Sequence, residues 1–449
     1  MSIDATTAMP KQMSAPAYSK SLWTGKRFYI VAFLFFNMFI NYMDRINLSV
    51  AAPTISRMFK WDSATMGWIF SCYLFSYMIF LIPWGRATDR FGSRNVGAIS
   101  MVLWSLGGMA SGATVGFASM LTARLGLGLG EAASFPICGK VVRQWFPAAE
   151  RGLATAIFNA GTFAGPALSA PFVAWLVLQT GWRMSFVITG VMGLLWALLW
   201  YAFFRAPAEC KWLPEDERNH ILSQTGTTAA AAAKPPTPHA LRLLLSRKTM
   251  WGQFLTQGCC AYTMYLFLAW LPSYLVRERH MDLMKASWFT AMPYLLSVVF
   301  GILIGKLSDS ILTPEAVKQG KRRQLLIVFI LLSSVVLITN MVSNQWLVVV
   351  LIAVALTSIS SALTLNIAMC NDLVWDPSMA ATALGFQILG GNSLGFLAPI
   401  LTGYIVKTTG SFNSAFILAG CLLFLGMAAS LTMTRKPLAF GDDAKAQAH

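Results

Sequence analysis

Apolar residues along the chain gather into long runs, and polar residues collect in the short stretches between them. The runs fall at about 27–50, 64–85, 96–113, 116–139, 152–178 and 183–204. They resume at about 251–276, 286–309, 325–343, 345–371, 380–406 and 412–434. A helix needs about 20 mostly apolar residues to cross a bilayer core, and only helices and closed barrels satisfy their backbone there. The run lengths suit helices. The pattern predicts an all-α integral membrane protein of twelve transmembrane helices in two pseudo-symmetric six-helix halves, 25–204 and 251–434. Residues 205–250, which include AAAAAKPPTP, read as a polar linker without fixed structure. Residues 1–24 read as a disordered tail with no cleavable leader, and 435–449 as a second tail.

The first run breaks the pattern. Within spanning length, RFYIVAFLFFNMFINYMDRINLSV carries Tyr42, Asp44, Arg45 and Asn47. An ionised side chain at the centre of such a helix costs at least ~2.5–3.5 kcal/mol. Neighbours in sequence point about 100° apart on a helix, so Asp44 and Arg45 cannot pair with each other. Each needs a partner on another helix or a wet cavity.

Composition agrees with a membrane protein: 56% of residues are hydrophobic and 12% charged, against roughly 25% charged in soluble domains. The net charge of +16 would raise the question of nucleic acid in a soluble protein. Here its distribution explains it. With the N-terminus inside, 25 Lys and Arg fall in inner segments and seven in outer loops, leaving Arg45 and Arg124 within spans. Both termini and the linker are then cytoplasmic. The seven Cys and four His show no metal spacing, and every His lies in a loop or tail. No metal or other cofactor is expected. There is no GxxxxGK[ST] loop to bind ATP and no catalytic constellation, so energy must come from a gradient and enzyme activity is not expected.

The halves echo each other. Gly85-Arg-Ala-Thr-Asp89-Arg90-Phe-Gly92-Ser-Arg94 follows the second run, and Gly305-Lys-Leu-Ser-Asp309 follows the eighth. A repeated element at matching positions marks an internal repeat. GxxxDRxGxR at this position resembles the signature of the major facilitator superfamily. NYMDRINLSVA, ARLGLGLGEAASFP (123–136), RQWFPAAERGLATAIFNAGTFAG (143–165) and AWLPSYL (269–275) resemble its anion:cation symporter family, which includes bacterial galactonate and glucarate transporters and vertebrate sialin. The resemblance covers about 25–435. It implies a bacterial inner-membrane importer of a small organic anion, coupled to protons by alternating access. By resemblance, Asp44, Arg45, Arg124 and Glu131 match the coupling and anion-binding group.

The residues themselves point the same way. Asp44 and Glu131 are the two acids well inside spans, so a proton-coupled cycle must use them. Arg124 and Glu131 are seven residues apart, about 10.5 Å along one helix face. That placement lets Arg124 pair with Asp44 and leaves Arg45 to face Glu131 and bind a carboxylate. Tyr42, Tyr77, Asn159, Thr162, Gln257, Asn366 and Gln387 are candidates to bind the rest of a substrate. Gly85, Asp89, Arg90, Arg94 and Asp309 are candidates for a gate at the cytoplasmic surface. Thr162, Ile388 and Ile367 stand where sugar-acid members of the family carry Gln, Asn and Trp, which puts a sugar-acid substrate in question and keeps aromatic acids open. A counter-anion exchanger without proton coupling and, remotely, a transporter-like sensor also fit the composition. A monomer is expected, with lipid, the organic anion and protons as partners.

Overall fold

The computed structural model describes residues 25–231, 240–374 and 377–434. The tails 1–24 and 435–449 fall outside the described residues, as does linker segment 232–239. The first half holds α1 (Phe28–Phe59), α2 (Ser63–Phe91), α3 (Ser93–Gly112), α4 (Phe117–Glu131), α5 (Ser134–Trp145), α6 (Ala148–Thr180) and α7 (Trp182–Phe203). Helices α8 (Glu215–Ala231) and α9 (Ala240–Leu245) lie in the linker. The second half holds α10 (Lys248–Arg277), α11 (Leu283–Ile311), the short α12 (Pro314–Lys318), α13 (Lys321–Ser333), α14 (Gln345–Leu373), α15 (Pro377–Thr409) and α16 (Asn413–Met433).

With α4 and α5 taken as one broken span, and α13 extended by the 3-10 turn Ser334–Met341, these make six spans per half among the described residues. Ten of the twelve are long and apolar enough to cross a membrane on composition alone. The other two are α1, which carries the buried charges, and the Gly- and Ser-rich α3. Both are sheltered by neighbours: α1 lies along α6, and α3 along α7 and α4.

Local signals place the helix ends. Asp62 caps α2 by accepting from the Thr65 amide at 2.8 Å, Asp282 caps α11 through Lys285, and Asn344 caps α14. Such caps satisfy amides that the first turn leaves unpaired. In the GxxxDRxGxR stretch, Gly92 joins α2 to α3 with φ +82, which a side chain would strain. The fourth span breaks at residues 132–133, directly after Glu131. Pro136 has no amide proton to offer the Ala132 carbonyl, so the helical ladder cannot run through. The close approach of α6 to α1 is set by Gly165: a Cβ there would lie 2.8 Å from both the Phe39 oxygen and the Tyr42 Cβ.

The linker differs from its reading as structureless. Residues 205–231 cover the end of the first half near the start of α1. Arg27, itself buried, donates to both oxygens of Glu150 at 2.6 and 2.9 Å and to Glu217 of α8 at 3.2 Å. The amides of Lys26 and Arg27 also donate to Glu217, and Trp212 stacks on Trp145 at 5.8 Å. The start of α8 has a sequence signal, Pro214 followed by Glu215, Asp216 and Glu217, a favoured first turn. Removing one partner of a buried ion pair costs about 3–5 kcal/mol. Arg27→Ala is accordingly expected to lower stability by about 3 kcal/mol, read from denaturant unfolding in mixed micelles. A change under about 0.5 kcal/mol would show that the triad does not hold the linker.

The two halves meet closely at the end of the bundle away from residues 25–28. There Lys407 of α15 pairs with Asp62 at 2.8 Å, Arg277 of α10 donates to the Ser63 hydroxyl at 2.9 Å, and Ser49 of α1 donates to the Leu268 carbonyl at 2.7 Å. At the other end, the ion pairs Asp89–Lys140 and Arg322–Asp372 each stay within one half. The Lys407 ammonium and the Thr65 amide hold the Asp62 carboxyl down at about 2. A depressed carboxylate stabilises above its unfolded value and loses that contribution as pH falls toward the folded one. The pair therefore gives no pH dependence between 5 and 8. It is exposed, so it adds little to stability. Asp62→Asn should raise labelling of a cysteine at Ser49, by an impermeant reagent added on that side, by less than about fivefold. A larger effect would make this pair a dominant latch.

Candidate functional site

The charged residues of α1 and α4 meet in the interior between the halves. Arg45 Nε donates to Glu131 Oε2 at 2.8 Å, with the side chains 3% and 0% exposed. The Arg45 guanidinium carbon also lies 4.5, 5.1 and 5.5 Å from the ring centres of Tyr42, Tyr73 and Tyr77. Tyr42 is one turn before Arg45, and Tyr73 and Tyr77 are one turn apart on α2, so three rings wall one cation. Cation–π contact of this kind steadies a charge withdrawn from water.

Asp44 points another way. Its Oδ1 lies 4.0 Å from where a Cβ on Gly108 of α3 would be, and the Thr189 hydroxyl of α7 stands beside its carboxylate. The orientation follows from helix geometry, and α1 is locked in rotation by Asn47. Its amide donates to Thr189 and its carbonyl accepts from Ser185, both on α7, at 3.0 Å. The Asp44–Arg124 pair read from the spacing is not made at ion-pair distance. Arg124 instead lies over the Tyr73 ring, 5.4 Å from its centre.

Arg45, Arg124, Tyr73 and Ser49 line one cavity of about 10 Å³, with Tyr265 of α10 facing them from the second half. The cavity is the size of about one water. Three kinds of donor or acceptor in this cluster have no partner: Arg45 Nη2, Arg124 Nε and Nη1, and Glu131 Oε1. Buried polar groups are normally hydrogen-bonded. Two guanidiniums whose donors meet no acceptor among the described residues can accept oxygens from a bound anion.

The remaining candidates divide. Thr162 is buried on α6 and donates to the Asn159 carbonyl one turn back, at 2.7 Å. Gln257, Asn366 and Gln387 come together inside the second half around Gln253, which sequence reading missed. Asn366 donates to Gln257 at 2.9 Å, and Gln387 to Gln253 at 2.8 Å. Gln253 lies four residues before Gln257 on the same helix face, which was the available signal. Tyr73 was missed for the same reason, standing four residues before Tyr77. Tyr265 follows Gln257 along the same span, eight residues on, and meets Arg45 and Arg124 because the halves close on each other there.

Among the gate candidates, Asp89 pairs with Lys140 of α5 at 3.3 Å, Arg94 donates to the Tyr201 carbonyl at 3.0 Å, and Arg90 lies over the Phe91 ring. Gly85 borders open space. The side chain of Asp309 falls outside the described ones. The contacts that are described all lie within the first half.

Twelve helices in two halves, closed against each other at one end and enclosing a buried cluster of opposite charges, define a membrane transporter rather than an enzyme. The sequence profile of the Major Facilitator Superfamily matches residues 34–316, and the chain belongs to that superfamily. It is 33% identical over 410 residues to the probable galactarate/D-glucarate transporter GudP of Bacillus subtilis (strain 168), covering 88% of this chain and 89% of the relative. It is also 33% identical over 418 residues to the probable L-galactonate transporter of Escherichia coli (strain K12), covering 90% and 88%. Among solved structures, a bacterial homologue of the human lysosomal transporter Spinster, in an inward-facing and occupied conformation, aligns with a TM-score of 0.71 at 16% identity. That alignment covers 94% of this chain and 100% of that one, and shows the shared fold.

Proposed function

We propose that the protein imports a small organic anion with protons across the bacterial inner membrane, working as a monomer with both termini in the cytoplasm. The observation that carries this reading is the Arg45–Glu131 pair, sealed among helices, with donors on Arg45 still unspent. Intramembrane ionisable residues are costly and as a rule serve a pathway. Protonation of Glu131 frees Arg45 to take the carboxylate of a substrate. Deprotonation on the other side returns Glu131 to Arg45 and expels the anion. The closed end, pinned by Asp62–Lys407 and Ser49–Leu268, is then the outer end, and the structure is the form closed to the outside. Opening there and closing at Asp89, Arg90 and Arg94 would complete the alternate state. The substrates for which the two relatives are named, both sugar acids, support an organic acid.

The test uses proteoliposomes with labelled galactarate or galactonate outside. Uptake that follows an inward proton gradient, and stops when a protonophore is added, supports the reading. Uptake that ignores the gradient and needs anion inside makes the protein an exchanger and leaves Asp44 and Glu131 structural.

A further inference from the structure

Two arginines meet at the rim of the first half, away from the buried charges. Arg94 opens α3, and Arg205 follows the end of α7. The two helices run antiparallel, with Gly97 against Trp200 at one end and Gly112 against Arg183 at the other. The Trp200 indole donates to the Ser93 carbonyl at 3.3 Å and ties the start of α3 to the end of α7. Arg94 Nε and Arg205 Nη1 each donate to the Tyr201 carbonyl at 3.0 Å, so these nitrogens are at most about 6 Å apart. Arg205 Nη1 also reaches the Phe204 carbonyl at 2.8 Å. The Arg94 guanidinium lies 4.2 Å from the centre of the Tyr201 ring. We propose that this pair binds the phosphate of an anionic phospholipid.

Capping the free carbonyls at the end of α7 accounts for one nitrogen of each side chain. A guanidinium carries five N–H donors in a rigid fork, so most donors of both forks stay unused. No carboxylate stands within 4.0 Å of either arginine among the described residues; the ion pairs there belong to Arg27, Arg45, Lys140, Arg322 and Lys407. Two cations held on one carbonyl repel each other, and an anion between them reverses that cost. The backbone and the Tyr201 ring hold both forks in place, and a phosphate offers oxygens that match them.

The surface leading away from the pair favours a lipid over a free anion. Phe91, Tyr201 and Phe203 are exposed around the arginines, as aromatic residues are at headgroup level. Beyond them, Ile99 and Leu106 of α3 and Leu195 and Leu198 of α7 are exposed, an apolar path for acyl chains. Basic pockets between helices on the cytoplasmic side suit anionic headgroups, and the Lys and Arg distribution places this rim on that side. A bound lipid would clamp the start of α3, just past the Gly92 turn, to the end of α7. The site shares no residue with the Arg45–Glu131 cluster, so it stands or falls separately from the transport reading.

The full chain in detergent is offered phosphatidylglycerol and phosphatidylcholine with the same acyl chains, and retained lipid is counted by native mass spectrometry. The native protein is expected to retain phosphatidylglycerol about tenfold over phosphatidylcholine. Arg94→Gln combined with Arg205→Gln should bring that ratio to within about twofold of one, while Lys321→Gln combined with Arg323→Gln, an equal loss of charge in the second half, leaves it within about twofold of native. Phosphatidylglycerol with a photoreactive headgroup locates the site on the unaltered protein, and should label residues 91–95 and 201–206 ahead of other segments. Millimolar inorganic phosphate should leave lipid retention unchanged.

Equal retention of the two lipids by the native protein overturns the site. So does equal loss in the two double variants, which would make the effect one of diffuse charge, and so does labelling confined to other segments. Displacement of the lipid by inorganic phosphate overturns the lipid assignment and makes the pair a soluble-anion site.

Discussion

Glu131→Gln is expected to bind substrate and exchange it across the membrane, yet to lose accumulation against a gradient entirely. Gln has the shape of Glu and still accepts the hydrogen bond from Arg45 Nε, which in the native protein spans 2.8 Å. What it lacks is the proton. Arg45 then has no counter-ion in either orientation of the transporter, so an anion binds without protonation and leaves without deprotonation. For each coupled proton, one pH unit is worth about 1.4 kcal/mol, or about tenfold in accumulation. The variant should therefore fall to an internal-to-external ratio of one, while counterflow of labelled substrate continues at a rate within about tenfold of the native protein. Accumulation that survives the substitution would assign coupling elsewhere.

Arg45→Ala is expected to act at the earlier step and to abolish binding. The guanidinium is the group around which the site is built: it is bonded to Glu131 and walled by Tyr42, Tyr73 and Tyr77. Its removal takes away the anion's partner and leaves Glu131 buried without compensation. Breaking one side of a buried pair costs about 3–5 kcal/mol. Converted at 1.4 kcal/mol per decade, affinity should fall by about 100-fold or more. Arg45→Lys should recover only part of the loss, because an ammonium cannot present the flat two-donor fork that a carboxylate matches. Isothermal titration in detergent measures both variants, and tryptophan emission verifies the fold. Binding by Arg45→Ala within threefold of native would remove Arg45 from the substrate site.

Much of this architecture was legible because lipid allows so few alternatives. Twelve apolar runs, a repeated GxxxD element and the distribution of Lys and Arg left little choice of fold. The cost of ionised groups in a spanning helix singled out Asp44, Arg45, Arg124 and Glu131 before any geometry was known. The rest depended on rotation and approach, which spacing does not encode. Seven-residue spacing puts Arg124 and Glu131 on one face of α4, but the Asn47 contacts with α7 decide where Asp44 points. The break after Glu131 follows from Pro136, a local signal that the surrounding apolar run obscured. Residues 205–231 read as a loose linker because their composition is polar. Their order comes from Arg27, nearly 200 residues away from Glu217 in sequence, and no periodicity announces such a contact. Gln257, Asn366 and Gln387 were picked individually as cavity groups; inside the second half they are a bonded cluster.

The central claim is that substrate and protons enter together. The most direct measurement places native protein in liposomes with a pH-sensitive dye inside, equal pH on both sides and no potential. Galactarate or another acid shown to bind is then added outside. Symport predicts that the lumen acidifies as substrate enters, and that Glu131→Gln takes in substrate with no change in lumenal pH. Substrate entry by the native protein with the lumenal pH unmoved would contradict the account.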